Sequence, residues 1–327
     1  MKIQEFRDKI KACKTEDVEK IAAELYKLLP KSKKDEADTI IVDILSGNVS
    51  TKLKKSESVP NLDTLKNEVN LFIENVDSNL YYVPNRVIPK SKRSKWRFEV
   101  MNFVKTINNI PTDEVNGDET ADLLQKLYSR LSYGCGCYIF PSDDPFNSIG
   151  IRQPDFYDMM IKRTFANGYD DEKMKKMLEY ATTTFLDRNS LHIEMENIFV
   201  NMLKTSDLKY KTIEFIKEYV EKYEKELKNE KRYSNRRYRL ERNIEEMCTT
   251  MLIIGIRLFE PEEAIKYYWQ HDKETDKEIT LYKILNVISC LGEDELWIKA
   301  YDYGLIRRVE PRDYLKKKYE KLIMEKE

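Results

Sequence analysis

The sequence predicts an all-α protein, and three observations carry that expectation. Apolar residues recur at alternating spacings of three and four over most of the chain, the signature of one helix face. Charged residues make up 35%, and nine Gly with ten Pro leave few punctuation points in 327 residues. Such a balance favours long solvated helices over turn-rich sheets. The expected architecture is stacked helical hairpins, an irregular α-solenoid or a helical bundle, without substantial β-sheet. No repeat of fixed period stands out.

Residues 3 to 46 read as three short helices, which makes 1–46 a small N-terminal helical module. Val18, Ile21, Ala22, Leu25, Leu28 and Leu29 give one stripe, and Ala37, Ile40, Ile41, Ile44 and Leu45 give the next. Pro30 separates them, with Ser32 and Asp35 as capping candidates. Residues 47–60 (GNVSTKLKKSESVP) read as a polar linker, which makes 61–327 the main helical domain.

Within that domain Leu62, Leu65, Val69, Phe72, Ile73 and Val76 open a helix, and Trp96, Val100, Phe103, Val104 and Ile107 mark another. Residues 133–154 hold three glycines and three prolines. They read as a long functional or mobile loop and a possible domain break. Beyond them the helices resume, and 213–227 and 240–258 predict two long helices joined by a polar turn at 228–235, an antiparallel hairpin. Pro261 suits a first helical turn, Thr275 with Glu278 spells a capping box, and Pro311 opens a last helix.

Two basic clusters interrupt this regularity. The first runs from Leu80 to Arg97, where Pro84 and Pro89 forbid a continuous helix and Arg86, Lys90, Lys92, Arg93, Lys95 and Arg97 fall without one acid. Trp96 and the tyrosines beside these cations suit stacking, and the guanidinium groups suit phosphate. The second cluster, Arg232, Arg236, Arg237 and Arg239 with Lys231 and Arg242, falls at the tip of the expected hairpin beside Tyr233 and Tyr238. The competing reading is a solvated face: glutamates flank the second cluster, and Arg242 with Glu246 has ion-pair spacing.

The remaining candidates have simpler explanations. Cys135 and Cys137 lack the companion ligands a zinc site needs, with only His192 and His271 in the chain. Asp143, Asp144, Asp170 and Asp171 sit where helices begin, so capping accounts for them. His192 and Glu196 resemble half of an acid–base pair that nothing in the sequence completes, and no known catalytic motif is present. Tyr267, Tyr268, Trp269, Trp297, Tyr301 and Tyr303 suit either a concave binding face or core.

A net charge of −1 excludes a whole-molecule field for polyanions, so any such binding must be local. Five cysteines are too sparse for a secreted disulfide framework, and the N-terminus has no apolar leader. The expectation is a cytoplasmic, non-enzymatic interaction or adaptor protein. It needs no cofactor, metal or membrane, and its partner is another protein. The alternative is a binder of nucleic acid or a phosphate ligand through the two basic clusters.

Overall fold

The computed structural model describes residues 3–30, 34, 37–38, 41, 61–82, 87–112 and 116–325; among them helices are the only regular elements and there is no strand. The all-α expectation holds. No helix among the described residues is long and apolar enough to cross a membrane. The chain divides into two compact units, Met1–Ser58 and Val59–Glu327.

In the first unit α1 (Ile3–Lys11) and α2 (Thr15–Lys27) form as the periodicity predicts. The expected stripe, however, is not a core: α2 buries none of its residues, and Leu25 and Leu28 are exposed. Ala37 and Ile41 are helical. Ser32, Asp35, Ile40, Ile44, Leu45 and the polar stretch 47–60 lie outside the described residues.

The second unit begins with α3 (Leu62–Asp77), capped by the Asn61 side chain, which accepts from Asp63 N at 3.0 Å. It buries Leu65, Val69, Phe72 and Val76, one face of the helix. Asn79 ends it in the left-handed region at φ 57°, a conformation Asn tolerates better than most residues. After Pro89 come the single turn α4 (Lys90–Arg93) and α5 (Trp96–Asn108), whose buried side is the predicted one. Then α6 (Gly117–Gly136) crosses the unit and packs on α3, α5 and α8.

Residues 133–154 are not the long loop their composition suggests. Helix α6 continues through Gly136, α7 occupies Pro145–Ile149, and α8 (Gln153–Thr164) begins three residues after Gly150. Gly134 and Gly136 serve close packing, and Gly150 ends α7 in the left-handed region at φ 69°. A Cβ on Gly134 would meet the Phe140 ring at 2.8 Å, and one on Gly136 would meet the Phe185 ring at 2.5 Å. Asp144 caps α7 and Asp170 caps α9 (Asp171–Thr182), each accepting from a backbone N–H at 3.0 and 2.8 Å.

Next come α10 (His192–Met202), α11 (Ser206–Lys228) and α12 (Asn235–Arg257). The last two form the expected hairpin: α12 starts beside the end of α11, with Arg236 paired to Glu226 across the turn. Helix α12 is the hub of the unit, packing against α9, α10, α11, α13 (Pro261–His271) and α14 (Lys277–Cys290). Its residues from Met247 to Ile256 are buried on all sides, as expected of a helix enclosed by others. Gly255 admits α13, since a Cβ there would lie 2.7 Å from the Ala264 Cβ.

Helices α14, α15 (Asp294–Ile306) and α16 (Asp313–Met324) pack each on the next. The cap of α14 is Asp276, which accepts from Glu278 N at 2.9 Å. The predicted Thr275–Glu278 box therefore does not form: the cap lies one residue further on, and the Glu278 carboxylate binds Arg312. Tyr268, Trp269, Trp297 and Tyr301 are core, and Tyr267 and Tyr303 pack against it.

Candidate functional site

Of the first basic cluster, Arg86 lies outside the described residues, and for Lys90 only the backbone, in α4, is described. Lys92, Lys95 and Arg97 point into solvent without an ion pair among the described residues, and the Arg97 guanidinium lies 4.8 Å over the Phe98 ring. Arg93 is half-buried. Trp96 is not a surface ring: it is 2% exposed and stacks on Phe140 at 4.2 Å. Its place at the start of α5 makes it the anchor that fastens the cluster to the segment following α6.

At the hairpin tip the flanking glutamates neutralise part of the second cluster. Arg236 pairs with Glu226 at 3.0 Å and Arg237 with Glu241 at 2.8 Å. Arg232 covers one face of the exposed Tyr233 ring at 5.5 Å. Arg239 is exposed and has no ion pair among the described residues.

Two clefts flank the start of α12, and their charges differ. One, of about 390 Å³, is lined by Arg232, Arg237, Arg242, Lys273 and Lys283 but also by Glu241, Glu245, Asp272 and Glu274. These largely cancel, with Lys283 bonded to Glu245 at 2.9 Å. The other, of about 290 Å³, is lined by Thr183, Phe185, Arg236, Arg239, Leu240, Arg242 and Asn243, with no acid in its wall. Three guanidinium groups, a hydroxyl and a carboxamide there offer donors suited to phosphate oxygens.

This cleft is held rigidly. Arg242 donates through Nη2 to His192 Nε2 at 3.1 Å and to Thr184 O at 3.3 Å. His192 Nδ1 lies 2.8 Å from Ala181 O, an obligate acceptor, so Nδ1 carries the proton and Nε2 accepts from Arg242. Burial, opposed by the Ala181 bond and aided to a smaller degree by the Arg242 charge, lowers the His192 pKa from 6.5 to about 4, keeping it neutral. Arg242 thus turns away from its expected partner, Glu246. Its Nε is buried with no hydrogen-bond partner among the described residues.

Below this layer Glu196 and Glu246 meet between α10 and α12. Glu196 is fully buried, and neither carboxyl oxygen has a hydrogen-bond partner within normal geometry among the described residues; the nearby Thr250 Oγ1 donates to the Glu246 backbone oxygen at 3.1 Å. Burial raises both acids, with the Glu246 charge adding to the effect on Glu196 and Glu245 adding to that on Glu246. The His192–Glu196 spacing belongs to this buried polar layer. Cys135 and Asp143 do not join it: the thiol points at Leu131 O, its pKa raised to about 12 chiefly by burial, and Asp143 pairs with Arg188.

The sequence reading missed Gln153. Fully buried at the start of α8, it donates to Tyr128 Oη and Phe185 O at 3.1 and 2.9 Å, while Asp187 N donates to its Oε1 at 2.7 Å. Ser132 Oγ donates to the same Phe185 oxygen at 2.7 Å. These bonds fix residues 183–187 as the cleft's far wall. Phe140 and Phe185 therefore tie the two basic clusters to one stretch, residues 132–140.

Among the described residues no three His, Cys, Asp or Glu side chains converge as metal ligands. Comparison with protein-family models, with curated proteins and with solved structures finds no match to this chain.

Proposed function

We propose that this protein works by binding, without chemistry of its own, and that the arginine face at the start of α12 takes a phosphate-bearing polymer. The observation that carries the reading is the acid-free cleft of Arg236, Arg239 and Arg242, in which Arg239 has no counter-ion among the described residues. Arg242 is preorganised by His192 and Thr184, so little side-chain entropy is lost when it meets an anion. Lys92, Lys95 and Arg97, without an ion pair among the described residues, extend the same chemistry at the other cluster. A local cationic face on a neutral chain gives weak, salt-sensitive association.

The test is binding of a labelled oligonucleotide to the full chain as a function of salt. Arg236→Glu with Arg239→Glu is expected to lower affinity at least tenfold and to flatten the salt dependence. Unchanged affinity and slope refute the reading.

A second reading, a protein partner, is favoured by a groove of about 320 Å³ between α3 and α5 lined by Leu71, Phe72, Tyr81 and Phe103. Leu71, and Phe98 and Met101 on α5, are exposed. If this groove is the protein's working surface, Leu71→Asp with Phe98→Asp abolishes partner capture, whereas Arg236→Glu with Arg239→Glu leaves it intact. Capture that survives both changes removes the groove from consideration.

A further inference from the structure

The two cationic clusters are joined by exposed aromatic rings. Phe185, in the wall of the arginine cleft, packs edge-on against Tyr133, with ring centroids 6.2 Å apart and an interplanar angle of 67°. Tyr133, on the last turns of α6, is 48% exposed. One turn on, the chain leaves the helix at Cys137, and Tyr138 follows at 69% exposure. Its ring stacks on that of Tyr82, 46% exposed, at 6.0 Å and 24°. Two residues after Tyr138, Phe140 holds Trp96 and with it the first cluster.

Large exposed rings are unfavourable in water unless something covers them, and here three of them lie between two groups of cations, of which Lys92, Lys95, Arg97 and Arg239 have no ion pair among the described residues. A duplex presents its phosphates outward and keeps its base faces stacked inside, so it satisfies the cations and leaves the rings bare. A protein partner covers the rings but has no regular line of negative charge. A single strand satisfies both: its phosphates meet the guanidinium and ammonium groups, and its unstacked bases lie on the tyrosine faces.

Resting on the polyanion reading above, we infer that the ligand class is single-stranded nucleic acid, laid from the Arg236–Arg239–Arg242 cleft past Tyr133 and Tyr138 to the cations of α4 and α5. Base–aromatic stacking tolerates any sequence, so the expected recognition is of strandedness, with little dependence on base order.

The experiment is fluorescence anisotropy of the full chain with three probes: an oligothymidylate of roughly 20 nucleotides, a duplex of equal length, and heparin as a polyanion without bases. The single strand is expected to bind tightest. Tyr133→Ala and Tyr138→Ala are each expected to weaken it about tenfold, at unchanged salt slope and with no effect on heparin. Tyr138→Phe keeps the ring and is expected to retain affinity. Tyr138→Leu keeps the apolar bulk without a π face and is expected to lose it, which separates stacking from loss of packing; a circular dichroism melt verifies each fold.

Equal binding of duplex and single strand overturns the inference. So does single-strand affinity that ignores the tyrosine changes but falls with Arg236→Glu and Arg239→Glu, an outcome that leaves the polyanion reading standing. Failure of all three probes at low salt overturns both.

Discussion

The carboxyl pair between α10 and α12 makes a specific claim about stability against pH. Glu246 is pushed up to about 8 from an ordinary 4.5, first by burial and then by Glu245, against the opposing pull of Arg242 and Lys283; Glu196 is raised well above its usual range. Between 4.5 and 8 the folded state therefore binds more protons than the unfolded chain, and stability falls as pH rises. For Glu246 alone the slope approaches about 1.4 kcal/mol per pH unit, and the loss from about pH 6 to pH 8 is about 2 kcal/mol.

His192 acts in the opposite sense: its folded pKa is depressed to about 4, so its contribution is complete above 6.5 and is lost as pH falls toward 4. The Glu196→Gln, Glu246→Gln double variant removes the alkaline slope and leaves the acid limb. In a thermal melt this appears as a wild-type midpoint about 4–8 °C lower at the alkaline end, and a variant midpoint that stays level. A wild type indifferent to pH over this window, or a double variant that keeps the slope, refutes the reasoning.

Three further perturbations test the packing. Gly255→Ala gains helix propensity but places its Cβ 2.7 Å from the Ala264 Cβ and 3.2 Å from Glu260 O, so a net loss of about 1–3 kcal/mol is expected in urea titration. Gln153→Ala leaves Asp187 N and one donor bond to Phe185 O unmade; a loss of about 3 kcal/mol, with weaker oligonucleotide binding through the loosened 183–187 wall, is the expected result of the same titration and an anisotropy assay. Phe259 sits at φ 61° and is 93% exposed. Phe259→Gly relieves that strain without uncovering core and is expected to stabilise by about 0.5–1 kcal/mol, read as a raised melting midpoint.

The sequence by itself determined the helical class and most of the helices, because three-to-four spacing of apolar side chains is a local property that a single helix satisfies. Leu65, Val69, Phe72 and Val76 turn inward as their spacing requires, and Asp144 and Asp170 cap helices because a carboxylate beside free N–H groups needs no distant partner. Tertiary structure decided what depends on residues far apart in the chain. Gly134 and Gly136 read as loop residues until Phe140, Pro145 and Phe185 arrive to fill the space their missing Cβ atoms leave. Trp96 reads as a stacking face beside six cations, yet Phe140 encloses it.

Arg242 is the sharpest case. Its i, i+4 neighbour Glu246 is the partner that spacing suggests, but across the α10–α12 interface His192 and Thr184 O offer acceptors, while Glu246 faces a second buried carboxyl and holds its proton more tightly. The choice between these partners is made by the dielectric and geometry of packed helices, which helical spacing does not encode.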